Sequence, residues 1–159
     1  MAEVFEKDDF WNEEGGERWV ENIDRVEAMI SGLSEHLQAH AAARPGEEVL
    51  DIGCGGGVTS AALAKAVGSA GHVLGADISE VILNVARERY ADVANLEFKT
   101  ADAETFAFER EHFDLITSRF GVMFFADPDV AFRNICGAGK PGARMVFICW
   151  RSLRENPWM

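Results

Sequence analysis

Short apolar segments alternate with helical ones along most of this chain, and that alternation constrains the fold more than any single motif. The apolar segments are "EVLDIG" (48–53), "HVLGAD" (72–77), "NLEFKTAD" (95–102), "FDLITSRF" (113–120) and "ARMVFICW" (143–150). Between them "VTSAALAKAVG" (58–68), "SEVILNVARERYA" (79–91) and "DPDVAFRNICGAG" (127–139) read as helices, with Ser79 as an N-cap and Pro128 in a first turn. Strands joined by helices form βαβ units, so the expected class is α/β: a mostly parallel, doubly wound sheet with helices on both faces. In such sheets ligands sit beyond the C-terminal ends of the strands. The residues to inspect are therefore Asp51 to Gly57, Asp77 and Ile78, Asp102 and Ala103, and Ser118 to Phe120.

Ahead of the first strand, Trp19, Ile23, Val26, Ile30, Leu33 and Leu37 recur in steps of four and three, which predicts one helix over about 17–42 with its stripe packed on the domain. Gly15 and Gly16 are expected to precede that helix and "ARPG" (43–46) to end it. The 159 residues suit a single domain. Lys and Arg number 15 against 27 Asp and Glu, a formal net charge of -12, which repels phosphate backbones and anionic lipid. Nucleic acid and membrane surfaces are thus not expected as partners. Cys54, Cys136 and Cys149 are three, widely spaced and without a C-x-x-C pair. No zinc site or disulfide framework is expected, and a reducing cytoplasm is. The N-terminus "MAEVFEKDDFW" lacks the plan of a signal peptide.

The first strand runs into a glycine turn, "VLDIGCGGG" (49–57). The dinucleotide pattern G-x-G-x-x-G is met at Gly53 and Gly55 but fails at Val58, and Asp51 sets a negative charge beside a pyrophosphate. This weighs against a nicotinamide dehydrogenase. The P-loop fails for want of Gly-Lys-Ser/Thr. A ligand bearing both a carboxylate and an amine fits better, with the turn's N–H groups and the next helix N-terminus serving the carboxylate. Asp51 would serve the amine, directly or through water. Asp77, at the second strand's end, suits a pair of ribose hydroxyls. Ile78 offers an apolar face to a flat base, and Asp102 an acceptor for an exocyclic amine. Amino acid, ribose and adenine in that order make S-adenosylmethionine.

"VLDIGCGGG", "GADIS", "FKTADAETFAF", "FDLITSRFGVMFF" and "KPGARMVFICW" resemble, in order and spacing, the motifs of class I S-adenosylmethionine-dependent methyltransferases. The nearest likeness is to the small-molecule branch of the ubiquinone/menaquinone-biosynthesis type, over roughly residues 45–150. The resemblance implies a Rossmann-like sheet whose five strands are ordered 3-2-1-4-5, with an extra N-terminal helix. It implies cofactor contacts at Asp51, Gly53, Cys54, Gly55, Asp77, Ile78, Asp102, Ala103, Ser118 and Arg119. Gly53 and Gly55 would admit the methionine part, with Cys54 a small residue between them. Ser118 and Arg119 would line the methionine side. "WNEEGGERWV" (11–20) resembles an element that closes over the cofactor, with Trp11 as its contact. S-adenosylhomocysteine would be the product and a small molecule the methyl acceptor.

Residues 1–44 are expected to form a helical cap and 45–159 the cofactor domain. The family's sheet has seven strands, and "WRSLRENPWM" follows directly on the fifth, so the domain is expected to be truncated there. "ARMVFICW" would then be an open edge, available to a second copy in a homodimer. A competing expectation is a catalytically incompetent cofactor-binding remnant or a dimerising interaction module. After the fourth strand stands "SRFG", not the Asn-Pro-Pro-Tyr type of tetrapeptide carried by members that methylate amino groups of nucleic acids. His72 and His112 precede strands and should lie at the far end of the sheet, so no general base is named. Most of "FGVMFF" (120–125) is expected in the core, with one or two rings walling an apolar pocket.

Overall fold

The computed structural model describes residues 7–152 and 154–156. Five strands form one sheet in the order β3-β2-β1-β4-β5: β1 is Glu48–Ile52, β2 His72–Asp77, β3 Leu96–Thr100, β4 Phe113–Arg119 and β5 Gly139–Ile148. Every neighbouring pair is parallel. This is the Rossmann-like class and order expected. The central strands are buried on both faces, which is why they read as continuous apolar runs. Side chains alternate between two cores. Val49, Val73 and Leu115 pack with Leu63, Ala64 and Val67 of α4 (Val58–Val67) and with Ala41. Leu50, Ile52 and Ile116 pack with Ile135 and Ala138 of α6 (Pro128–Ala138). Val49, Leu50, Leu115 and Ile116 have no exposed surface, and each such burial contributes about 1.5–3 kcal/mol.

Caps fall where local chemistry supplies them. Ser79 Oγ accepts from Ile82 N (3.2 Å) at the start of α5 (Glu80–Arg89). Asp127 accepts from Val130 N (3.1 Å) ahead of Pro128 in α6.

The N-terminal region departs from the single helix expected. Three helices stand there: α1 (Lys7–Asn12), α2 (Glu14–Met29) and α3 (Ser31–Ala41). Gly15 and Gly16 lie inside α2. A Cβ on Gly15 would stand 2.5 Å from the Phe10 ring, and one on Gly16 2.1 Å from the Trp11 carbonyl. These glycines let α1 lie directly on α2; they do not break the chain. The break comes at Ile30 (φ -105, ψ 11), where Ser31 Oγ donates back to Ala28 O at 3.0 Å. The apolar stripe still faces inward on both helices, and Ile23, Ile30 and Leu37 are buried.

The fifth strand also begins earlier than expected. Its pairing with β4 jumps from Phe113↔Gly139 to Leu115↔Arg144. Pro141 and Gly142 (φ 84) loop out between these pairs, which an outer strand tolerates.

Candidate functional site

The C-terminal ends of β1, β2, β3 and β4 open on one cavity, roofed by α1 and α2. The turn after β1 is tied down by its own amides. Gly53 N and Cys54 N both donate to Ala76 O (2.7 and 3.1 Å), and Gly57 N donates to Cys54 O (3.0 Å). Gly55 N donates to Asp77 Oδ2 at 2.8 Å. Gly53 sits at φ 64, and a Cβ there would stand 2.6 Å from Gly121 Cα, so the ends of β1 and β4 meet backbone to backbone. The N–H groups expected to receive a ligand carboxylate are therefore already committed at Gly53, Cys54 and Gly55. The end of β2 supplies their acceptors, Ala76 O and the Asp77 carboxylate.

Gly53, Cys54, Gly55, Asp77, Ile78, Asp102, Ala103, Arg119 and Trp11 all line the cavity. Asp77 accepts from Gly55 N and from Ser79 N (3.0 Å). Burial pushes its pKa up, against the opposing pull of the Ser79, Gly55 and Ile78 amides. Ile78 is fixed from above, its carbonyl accepting from Asn12 Nδ2 at 3.2 Å. Asp102 Oδ1 accepts from Glu104 N (3.0 Å), which starts the turn after β3, and Ala103 O accepts from Asn134 Nδ2 (2.9 Å). The Trp11 carbonyl accepts from Ser79 Oγ at 2.6 Å, and its ring meets Phe124 edge-on at 5.3 Å. Burial, then the nearby Asp77 and Asp51, push the Cys54 thiol up, so it is no nucleophile.

Two residues of the expected site stand behind the wall. Asp51 is 1% exposed and accepts from Ser60 Oγ (2.6 Å) and Thr117 Oγ1 (2.9 Å). It joins β1, α4 and β4 beneath the turn, and burial raises its pKa to about 6. Its carboxylate is occupied by two hydroxyls, so direct service to a ligand amine is not what the geometry offers. Ser118 has no exposed surface. Its hydroxyl donates to Ile52 O (2.7 Å) and accepts from Val122 N (3.2 Å), holding the 3-10 turn at Gly121–Phe124 against β1.

Arg119 lines the cavity as one half of a buried ion pair. Its guanidinium grips both Glu27 oxygens (2.7 and 2.5 Å) and donates to Ser34 Oγ (2.5 Å), fastening β4 to α2 and α3. The side chains are 8% and 10% exposed, so the charge is spent within the pair.

Sequence reasoning missed several lining residues: Trp19, Ile30, Ile82 and Trp150. Trp19 and Ile30 were legible only as members of a packing stripe. Phe120, Phe124 and Phe125 line the cavity, while Val122 enters the core. Phe120 takes φ 70 and stacks on Trp150 at 4.4 Å with 7° between the rings. His72 and His112 sit at the opposite end of the sheet, 3.9 and 3.5 Å from Glu48. Among the described residues, no group of three or more His, Cys, Asp or Glu is placed to hold a metal, and no helix is long and apolar enough to cross a membrane.

A family model described as "Methyltransferase domain" matches residues 43–158. The chain belongs to this methyltransferase domain family. Among curated relatives, the ubiquinone/menaquinone biosynthesis C-methyltransferase UbiE of Vibrio vulnificus is 39% identical over 109 residues, which is 67% of this chain and 42% of the relative. The chain thus spans less than half the length of that relative. Among solved structures, a SAM dependent methyltransferase from Aquifex aeolicus superposes with a TM-score of 0.69 at 25% identity, covering 74% of this chain and 64% of that one. A Haemonchus contortus N-methyltransferase in complex with S-adenosylhomocysteine superposes with a TM-score of 0.68 at 25% identity, covering 80% of this chain and 31% of that one.

Proposed function

We propose that this domain binds S-adenosylmethionine at the C-terminal ends of its strands and serves in-line methyl transfer to a small-molecule acceptor in the cytoplasm, leaving S-adenosylhomocysteine. The observation that carries the reading is the sequence of groups along one cavity wall. The glycine turn, then Asp77 and Ile78, then Asp102 and Ala103 follow one another at the ends of β1, β2 and β3. The open glycine surface suits an amino-acid moiety. Asp77 is a carboxylate acceptor held in place by two amides, suited to ribose hydroxyls. Ile78 presents an apolar face to a base, and Asp102 and Ala103 an edge for it. The cofactor's contribution is a sulfonium-bound, electrophilic methyl group.

The chain's own residues bind, align and shield. Trp11 and Trp19 roof the cavity from α1 and α2. The stacked Phe120 and Trp150 with Phe124 form an aromatic wall, which supports an apolar or flat acceptor. The cationic Arg119 is neutralised by Glu27, so the wall carries no strong attraction for an anionic acceptor. Holding the acceptor in line with the methyl group supplies much of the acceleration without a general base. Three free cysteines among the described residues support a reducing compartment. Calorimetric titration with S-adenosylhomocysteine tests the reading. Saturable one-site binding is expected, and no binding at near-millimolar ligand refutes it. Binding with no label transfer from methyl-labelled donor to any acceptor tried would favour the incompetent remnant.

A further inference from the structure

We propose that the indole N–H of Trp19 is the donor that receives the carboxylate of the ligand's amino-acid end. The inference rests on the cofactor reading above and adds a residue to it. Trp19 Nε1 is buried and has no hydrogen-bond partner among the described residues. Leaving such a donor unmatched costs about 1–3 kcal/mol, so its position calls for a partner that arrives with the ligand. The atom stands at the cavity wall, 3.9 Å from where a Cβ on Gly55 would be, over the open side of the glycine turn.

Four amides of the turn are already committed. Gly53 N and Cys54 N bond Ala76 O, Gly55 N bonds Asp77 Oδ2, and Gly57 N bonds Cys54 O. The Arg119 guanidinium is taken by Glu27 and Ser34. With those amides and the guanidinium engaged, the Trp19 N–H of α2 is a donor that an anionic group seated on the turn can reach. Indole nitrogen donates and cannot accept, so it selects a carboxylate oxygen and ignores the adjacent ammonium. The ring is braced edge-on against Trp11 at 6.2 Å, which limits its freedom to turn away.

The test uses two ligands that differ only in the carboxylate: S-adenosylmethionine and decarboxylated S-adenosylmethionine. Their affinities for the wild-type chain and for Trp19→Phe are measured by calorimetry. Phe keeps the aromatic packing and removes the N–H. The expected result is a loss of roughly 10- to 100-fold in affinity for S-adenosylmethionine, with the decarboxylated ligand little changed. Retained binding of the decarboxylated ligand also shows that the variant is folded. Equal losses on both ligands, or no loss on either, overturn the role of Trp19. If the wild-type chain binds neither ligand, the cofactor reading falls and this inference falls with it.

Discussion

Replacing Asp51 by Asn probes what holds the glycine turn in place. The carboxylate is 1% exposed, and its charged form is opposed by burial more than it is favoured by Ser60, Thr117 and Arg119. Its pKa rises from 3.8 to about 6 in the folded chain. A gap of about 2 units, at about 1.36 kcal/mol each, is worth about 3 kcal/mol. The folded state favours the neutral acid. The stability this group contributes is therefore fully present below pH 3.8 and is lost as pH rises through about 6. Asn has no proton to lose. The unfolding free energy of Asp51→Asn minus that of the wild type should climb by about 3 kcal/mol between roughly pH 4 and pH 7. Taking the difference cancels the shifted acids that do not interact with Asp51, namely Glu47, Glu80 and Asp114, all lowered. Any constant offset from repacking the amide cancels from the slope as well. Urea unfolding followed by tryptophan fluorescence across that pH range measures it. A flat difference, or one that falls with rising pH, would show that Asp51 ionises as an ordinary acid and that its burial does not govern its charge.

Gly53→Ala places a Cβ 2.6 Å from Gly121 Cα on a backbone at φ 64. It should lower stability by about 2–4 kcal/mol, and an unchanged thermal transition by circular dichroism would contradict the close approach. Glu27→Ala strands the Arg119 guanidinium with Ser34 as its remaining partner and should cost about 3–5 kcal/mol in denaturant unfolding. A loss well under 1 kcal/mol would mean that the pair is solvated. Asp77→Asn should weaken S-adenosylhomocysteine binding by roughly tenfold or more in calorimetry, and unaltered affinity would remove its ribose role.

The local sequence carried what local physics decides. Alternating strands and helices, Ser79 as a cap, Pro128 in a first turn, and the acids Asp77 and Asp102 at strand ends were all legible, because period, propensity and capping depend on near neighbours. The parallel order followed from the resemblance, and a glycine turn after β1 is visible in any copy of the chain. Tertiary structure alone decided where the polar groups go. Asp51 and Thr117, 66 positions apart, meet under the turn, and Glu27 and Arg119, 92 apart, neutralise each other at the cavity wall. Gly15 and Gly16 looked like a helix boundary, yet they are the floor on which α1 rests. Trp19 looked like one more packing residue until the fold set its buried N–H beside Gly55. A side chain's type is written in its own position, but its charge state and its unmet hydrogen bond depend on what distant segments bring to it.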